Sequence, residues 1–204
     1  MTATASDVRS PEAVLEEAVE RHGRSLVLLC SFQKEESVLL DALLAIDPGT
    51  RVVTIDTGVL FPETLETWRA FEERSGVSIE IEDARGPWTG PEQCCGAAKV
   101  AALERALEGA EGWVTGIRRE QAATRASAEL VEYDESRGLW KYNPLADWTE
   151  RDLWRRINER DLPYNPLHDR GYASIGCAPC TLPGSGRDGR WAGREKTECG
   201  IHVR

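Results

Sequence analysis

The feature that most constrains this chain is an alternation of short strand-like runs, the first of them (residues 25–30) nearly continuously apolar, with longer segments of helical pattern. Residues 25–30 (SLVLLC), 51–56 (RVVTID), 77–83 (VSIEIED) and 112–117 (GWVTGI) alternate with KEESVLLDALLAI, PETLETWRAFEERSG and CCGAAKVAALERALEG. A strand that is apolar along its whole length is buried on both faces, as in a parallel sheet covered by helices. The βαβα order therefore predicts an α/β fold with right-handed crossovers: a mostly parallel sheet flanked by helices. At 204 residues the chain suits one such domain. Ser10 as N-cap, Pro11 at the first helical position and Gly23 as stop bound a first helix over residues 11–22. A strand pair is expected near residues 128–133 and 139–142, and a helix over 149–160 opened by Thr149. Beyond Leu162, prolines and glycines interrupt regular structure, and residues 181–204 read as a mobile C-terminal arm.

Charge narrows the function classes. Lys and Arg total 25 against 35 Asp and Glu, a net charge of −10, which makes the chain a poor candidate for wrapping nucleic acid or an anionic membrane. Any anionic ligand must be held by a local basic cluster. Within residues 181–204, Arg187, Arg190, Arg194, Lys196 and Arg204 face Asp188, Glu195 and Glu198, so this segment is +2 and the remainder −12. The first residues lack the apolar core of a signal peptide, and no stretch approaches the ~20 apolar residues of a membrane helix, so a cytoplasmic protein is expected. In a reducing compartment its six cysteines read as metal ligands or reactive thiols rather than disulfides.

In open α/β sheets, ligands sit at the carboxyl ends of strands, where helix N-termini and free backbone N–H groups receive anions. Two loops fit: Ser31, Gln33, Lys34, Glu35 and Ser37 after the first strand, and Asp56, Thr57 and Gly58 after the second. Each alone also has a purely structural reading, because Ser caps helices and Asp-Thr-Gly makes turns. Neither matches a P-loop or a dinucleotide fingerprint. After residues 112–117 come Arg118, Arg119, Gln121 and Arg125; arginines on an exposed helix are commonly just solvated, but these fall at the ligand edge of an acidic protein. Guanidinium forks suit phosphate or sulfate oxygens.

Cys94-Cys95 and Cys177-Ala178-Pro179-Cys180 offer four thiolates in two tight pairs, a strong metal signal that a set of small buried hydrophobes explains poorly. Four cysteines serve zinc or a [4Fe-4S] cluster. Adjacent helical cysteines project ~100° apart, which suits different irons of one cluster better than one compact tetrahedron. C-A-P-C also imitates a thioredoxin active site, yet that fold places the motif early, and 24 residues follow Cys180 here. Cys199 stands apart. Lys196 and His202 would raise its thiolate fraction while Glu198 would oppose this. Cys30 is the remaining thiol.

The segments SFQKEESVLL, IDTG, CC followed by Lys99, TGIRREQAATR, YNPLADW, GCAPCT, RDGRW and KTECGIH together resemble the assimilatory adenylyl-sulfate reductases of the sulfonucleotide reductase family over almost the whole chain. That resemblance implies an adenine nucleotide α-hydrolase-like fold, with residues 1–180 as the nucleotide-binding domain with its iron–sulfur site. It also implies a [4Fe-4S] cluster on Cys94, Cys95, Cys177 and Cys180, and a catalytic nucleophile at Cys199 on the arm. Lys99, Arg187 and Arg190 match positions that handle the phosphosulfate, and the SFQKEES, IDTG and RRE loops match the nucleotide cradle. The implied chemistry, in sulfate assimilation and cysteine biosynthesis, is attack of Cys199 on adenosine 5′-phosphosulfate, with release of AMP and then of sulfite by thioredoxin. The stretch between Cys180 and Cys199 is shorter than the family pattern, and Ala97 and Ala98 replace a more basic surrounding. The rival of the same fold, an ATP pyrophosphatase-type adenylating enzyme, uses an S-G-G-x-D-S loop where this chain has Ser31-Phe32-Gln33-Lys34-Glu35, without its glycines or its aspartate. A non-enzymatic metal module binding a partner or RNA would have no use for a lone nucleophile at Cys199. A homo-oligomer is compatible with all of these readings.

Overall fold

The computed structural model of the protein describes residues 9–86, 96–191 and 198. Local signals set most helix ends. In α1 (Pro11–His22), the Ser10 hydroxyl accepts from the Ala13 N–H at 3.2 Å, and Gly23 at φ 48° closes the helix. Helix α2 (Lys34–Ile46) starts at Gln33, whose N–H is capped by the Glu36 carboxyl, and α3 (Pro62–Ser75) starts on a proline and stops at Gly76. Helix α4 is Ala97–Ala106, and α5 (Glu150–Arg160) is opened by a reciprocal Thr149–Asp152 capping box.

The strands are β1 (Leu26–Leu29), β2 (Arg51–Asp56), β3 (Glu80–Asp83), β4 (Gly112–Val114), β5 (Val131–Asp134) and β6 (Leu139–Tyr142). Among the described residues they form one sheet in the order β3-β2-β1-β4-β6-β5, parallel throughout except for the antiparallel β5–β6 pair. Central β1 is hydrogen-bonded on both sides, with Val27 opposite Arg51 and Trp113. The expected α/β architecture is present, although β3, β4 and α4 are shorter than their sequence patterns.

Strand alternation divides the core in two. Leu26 and Leu28 face a cluster containing Val14, Leu15, Leu39, Leu43, Phe71, Leu153 and Ile157, from α1, α2, α3 and α5. Val27 and Val53 face the other cluster, in which Ala102, Leu103 and Ala106 of α4 pack with Cys177, Cys180 and Trp191. The chain builds β1, β2 and β3 outward to one side and then returns to the other side of β1 with β4. Between the carboxyl ends of β1 and β4 the sheet thus has a topological switch point, the place where open α/β sheets form a ligand crevice.

The arm expected from residue 181 is packed on the domain as far as it is described without a break. Leu182 N–H bonds the Gly189 carbonyl at 2.9 Å, Trp191 N–H bonds the Cys180 carbonyl at 2.9 Å, and the Trp191 side chain is buried. A Cβ on Gly189 would lie 2.0 Å from the Leu182 carbonyl oxygen, so this tight return requires glycine.

Candidate active site

A cleft of about 900 Å³, its open mouth included, occupies the switch point. Its floor is the end of β1 with Cys30, Ser31, Phe32, Gln33, Glu35 and Glu36; its walls are Thr54 and Ile55 of β2, Gly116 and Ile117 after β4, and Ile175–Cys177. Lys99, Gln121, Arg125, Arg187 and Arg190 also line it, so one crevice gathers four cations from three separated stretches of an acidic chain. Of the substrate-binding residues expected from sequence, Ser31, Gln33, Glu35, Lys99, Gln121, Arg125, Arg187 and Arg190 meet here.

The others do not. Lys34 is buried, its ammonium bonding the Ala173 carbonyl at 2.8 Å and the Glu150 carboxylate at 3.1 Å. Ser37 is buried in α2, donating back to the Gln33 carbonyl at 3.4 Å. Arg118 pairs with Glu35 inside the protein and lines an adjoining cavity with Glu120 and Glu150. Arg119 turns away to the Ala128 carbonyl and the Asp147 carboxylate. Asp56, Thr57 and Gly58 form a turn beside the cleft rather than its lining: the Asp56 carboxylate accepts from the Gly58 N–H at 2.7 Å. A charged residue at a strand end can face ligand or scaffold, and its neighbours in space decide which.

The first loop differs from an open anion cradle. The Gln33 N–H donates to Oε2 of the Glu36 carboxyl at 3.2 Å and the Lys34 N–H to His168 Nε2 at 3.3 Å, so two N–H groups at the start of α2 are already satisfied. His168 in turn donates from Nδ1 to the Tyr172 carbonyl at 2.7 Å; burial and the Lys34 charge hold its pKa below the ordinary value, keeping it neutral and in that tautomer. Phe32 makes the bend at φ 57°, a conformation cheap for glycine and costly for other residues, and its buried ring stacks on Trp68 at 5.4 Å. Gln33 ties the loop to the opposite wall, accepting from the Ile175 N–H at 2.8 Å. A glycine-lined approach to pyrophosphate, which the adenylating rival needs, is absent from this loop.

Beneath the loop two adjacent carboxyls diverge. Burial alone would raise Glu35, but Lys34 and Arg118 outweigh it and hold the carboxyl below its ordinary range. Glu36, buried beside the Glu35 charge, is pushed up to about 8 and is protonated at neutral pH. Cys30 is also buried, and burial together with Glu36 pushes its thiol well above the ordinary value. The remaining thiol is thus held in its unreactive form.

The right wall carries the cysteine turn. Cys177 and Cys180 bracket a single 3-10 turn, both buried against Val27, Val53 and Ile55. The Thr57 hydroxyl lies 3.2 Å from Cys177 Sγ, and the Cys177 carbonyl accepts from the Cys180 N–H and the Thr181 hydroxyl. Two soft donors held close in an apolar pocket beside a hydroxyl fit a thiolate-ligated cluster or metal. Cys94, Cys95 and Cys199 lie outside the described residues, and among those described no group of three or more His, Cys, Asp or Glu side chains is arranged to hold a metal ion.

Arg190 links this turn to the cleft. It donates to the Ile175 carbonyl at 3.0 Å and lies 4.6 Å over the Trp191 ring, while Arg187 lies 5.3 Å from the same ring. Glu198, which sequence reasoning read only as an unfavourable neighbour of Cys199, docks its carboxylate on Arg125 and Arg187. No local signal marks that contact; its partners are 73 and 11 residues away.

Comparison with known proteins agrees with this geometry. The family model described as the phosphoadenosine phosphosulfate reductase domain matches residues 25–183. A phosphoadenosine 5′-phosphosulfate reductase of Gloeobacter violaceus is 42% identical over 95% of this chain and 89% of its own length. An adenosine 5′-phosphosulfate reductase of Salinibacter ruber is 39% identical over 95% of this chain and 84% of its own. Among solved structures, the phosphate complex of phosphoadenylyl-sulfate reductase from Candida auris superposes with a TM-score of 0.73 at 25% identity, covering 89% of this chain and all of that one.

Proposed function

Given that the chain belongs to the phosphoadenosine phosphosulfate reductase domain family, we propose that it reduces adenosine 5′-phosphosulfate to sulfite and AMP in sulfate assimilation, with thioredoxin as the electron donor. The observation that carries this reading is the convergence of Lys99, Arg125, Arg187 and Arg190 on one switch-point cleft beside the Cys177–Cys180 turn.

The nucleotide enters the cleft with its adenosine toward the β1 and β2 ends and its phosphosulfate toward the arginines. Cys199 acts as nucleophile: its thiolate forms a bond to the substrate sulfur, the sulfur–oxygen bond to the phosphate breaks, and AMP leaves with the electron pair. Charge grows on the departing phosphate, and fixed guanidinium or ammonium groups aimed at it stabilise that charge without reorganising. A thiolate of reduced thioredoxin then attacks the sulfur of Cys199, expelling sulfite; its second thiol resolves the mixed disulfide and restores the Cys199 thiolate. Cys30, buried with a raised pKa, is a poor internal substitute for that dithiol. A reaction that consumes reduced thiols suits the cytoplasm. No helix among the described residues is long and apolar enough to cross a membrane.

Cys177 and Cys180, together with Cys94 and Cys95, are the residues that would hold a [4Fe-4S] cluster. Bound there, it would tie the 177–180 turn to the segment of Cys94 and Cys95 through iron–thiolate bonds and couple its own loading to folding.

Mixing the protein with adenosine 5′-phosphosulfate and no reductant tests the reading. About one AMP per chain is expected, followed by arrest, with an added SO₃ group on Cys199 that reduced thioredoxin removes as sulfite. No AMP, or normal turnover by Cys199→Ser, overturns it; an adduct on Cys30 overturns the nucleophile assignment.

A further inference from the structure

Glu198 is held more firmly than a residue of a loose arm would be. Its Oε2 accepts from Arg125 Nε at 2.9 Å and its Oε1 from Arg125 Nη2 at 2.8 Å, a two-point guanidinium–carboxylate fork. The same Oε1 accepts from Arg187 Nη2 at 2.7 Å, and the Thr124 hydroxyl lies 3.4 Å from Oε2. All three charged side chains are nearly buried, at 8%, 12% and 10% exposure for Arg125, Arg187 and Glu198. Each guanidinium is braced from behind, Arg125 by the Gln121 side-chain amide oxygen Oε1 and Arg187 by the Trp191 ring. Exposed ion pairs contribute little to order, whereas a braced, two-point, partly dehydrated one fixes geometry.

Both arginines line the nucleotide cleft, and the residue they hold is covalently joined to Cys199. We propose that Glu198 is a positioning residue: its carboxylate, clamped by Arg125 and Arg187, fixes the chain at residue 198 beside the cleft, one peptide bond from the nucleophile Cys199. This inference rests on the sulfonucleotide reductase reading above. On this view, part of the cleft's positive charge serves the protein's own carboxylate, leaving Arg190 and Lys99 to face the phosphosulfate. Holding a nucleophile within reach of its target replaces a search by the chain, and a misplacement of about 1 Å can cost on the order of 100-fold in rate.

The test uses the anaerobically purified full chain and two variants. Glu198→Gln keeps the shape but turns an amide N–H₂ toward guanidinium donors; Glu198→Asp keeps the charge with a shorter reach. Single-turnover release of AMP from adenosine 5′-phosphosulfate and equilibrium binding of AMP are measured for each. The expected result is a fall of at least about tenfold in the AMP-release rate for Glu198→Gln, an intermediate rate for Glu198→Asp, and an AMP Kd within about threefold of wild type. Equal rates for wild type and Glu198→Gln overturn the inference alone. Tighter nucleotide binding with an unchanged rate also overturns it, marking Glu198 as a competitor for the anion site. A wild-type chain that releases no AMP overturns the parent reading and this inference with it.

Discussion

Arg118 and Glu35, 83 residues apart in sequence, form an ion pair buried at both ends, with Nε donating to Oε1 at 3.0 Å. The guanidinium also reaches the Glu120 carboxylate and the Trp148 carbonyl, while Glu35 accepts from Gln121 Nε2 at 2.9 Å. The pair therefore joins the first turn of α2 to the loop after β4 at the floor of the cleft. Removing one partner strands a buried charge, which costs about 3–5 kcal/mol. Arg118→Met should lower the denaturant midpoint accordingly, and adding Glu35→Gln should recover part of the loss. A variant of wild-type stability that fails to bind AMP would instead make Arg118 a ligand contact.

Glu36 predicts a pH dependence of stability. Its folded value of about 8 lies above the ordinary 4.5, so the folded state holds an extra proton between these values. The stabilising contribution is complete below about pH 4.5 and is lost as pH rises through about 8. Glu35, depressed, acts in the opposite sense and only toward acid, so the two separate along the pH axis. Relative to wild type, Glu36→Gln should gain thermal stability progressively from pH 5 to pH 9. A difference in Tm that stays flat across this range would show that Glu36 is ionised in the fold.

Gly176 sets the position of Arg190. A Cβ there would sit 2.5 Å from the Arg190 guanidinium carbon, in a place where that guanidinium is anchored to the Ile175 carbonyl and the Trp191 ring. Gly176→Ala should therefore imitate Arg190→Ala, each lowering kcat/KM roughly tenfold or more through lost charge stabilisation while leaving the cluster spectrum intact. Normal kinetics for Gly176→Ala beside a defective Arg190→Ala would mean that the arginine acts from a different position.

The [4Fe-4S] cluster proposed for the cysteine turn yields a paired prediction. Cys177→Ser and Cys94→Ser should each lose iron and acid-labile sulfide and melt at lower temperature, since cluster binding is coupled to folding. Thr57→Val should keep stoichiometric iron yet shift the cluster's reduction potential, because the hydroxyl 3.2 Å from Cys177 Sγ is removed without touching a ligand. Stoichiometric zinc without sulfide in the wild-type protein would refute both.

Periodicity and capping chemistry, which are local, were enough to read the α/β alternation from the residues alone. Residues 11–22 and 34–46 are helical over the spans their patterns predict, with Ser10 and Gly23 as the terminators of the first. Strand Arg51–Asp56 also has its predicted bounds. Strand β3 begins later than the expected span of 77–83, because pairing with β2 starts only at Glu80. The same local chemistry exposed the two cysteine pairs and the isolated Cys199, and the clustered motifs pointed to the family.

Which charges face ligand and which hold the scaffold was decided only by tertiary structure. Arg118 and Arg125 stand seven residues apart in one basic stretch, yet one is consumed by Glu35 and the other lines the cleft. Lys34 and Gln33 are neighbours in sequence, but the first is buried against Ala173 and Glu150 while the second bridges to Ile175. The role of a charged side chain depends on the counter-charge and burial that distant segments bring to it, and no periodicity encodes those. For the same reason Glu198 looked incidental beside Cys199: only the folded chain brings it onto Arg125 and Arg187.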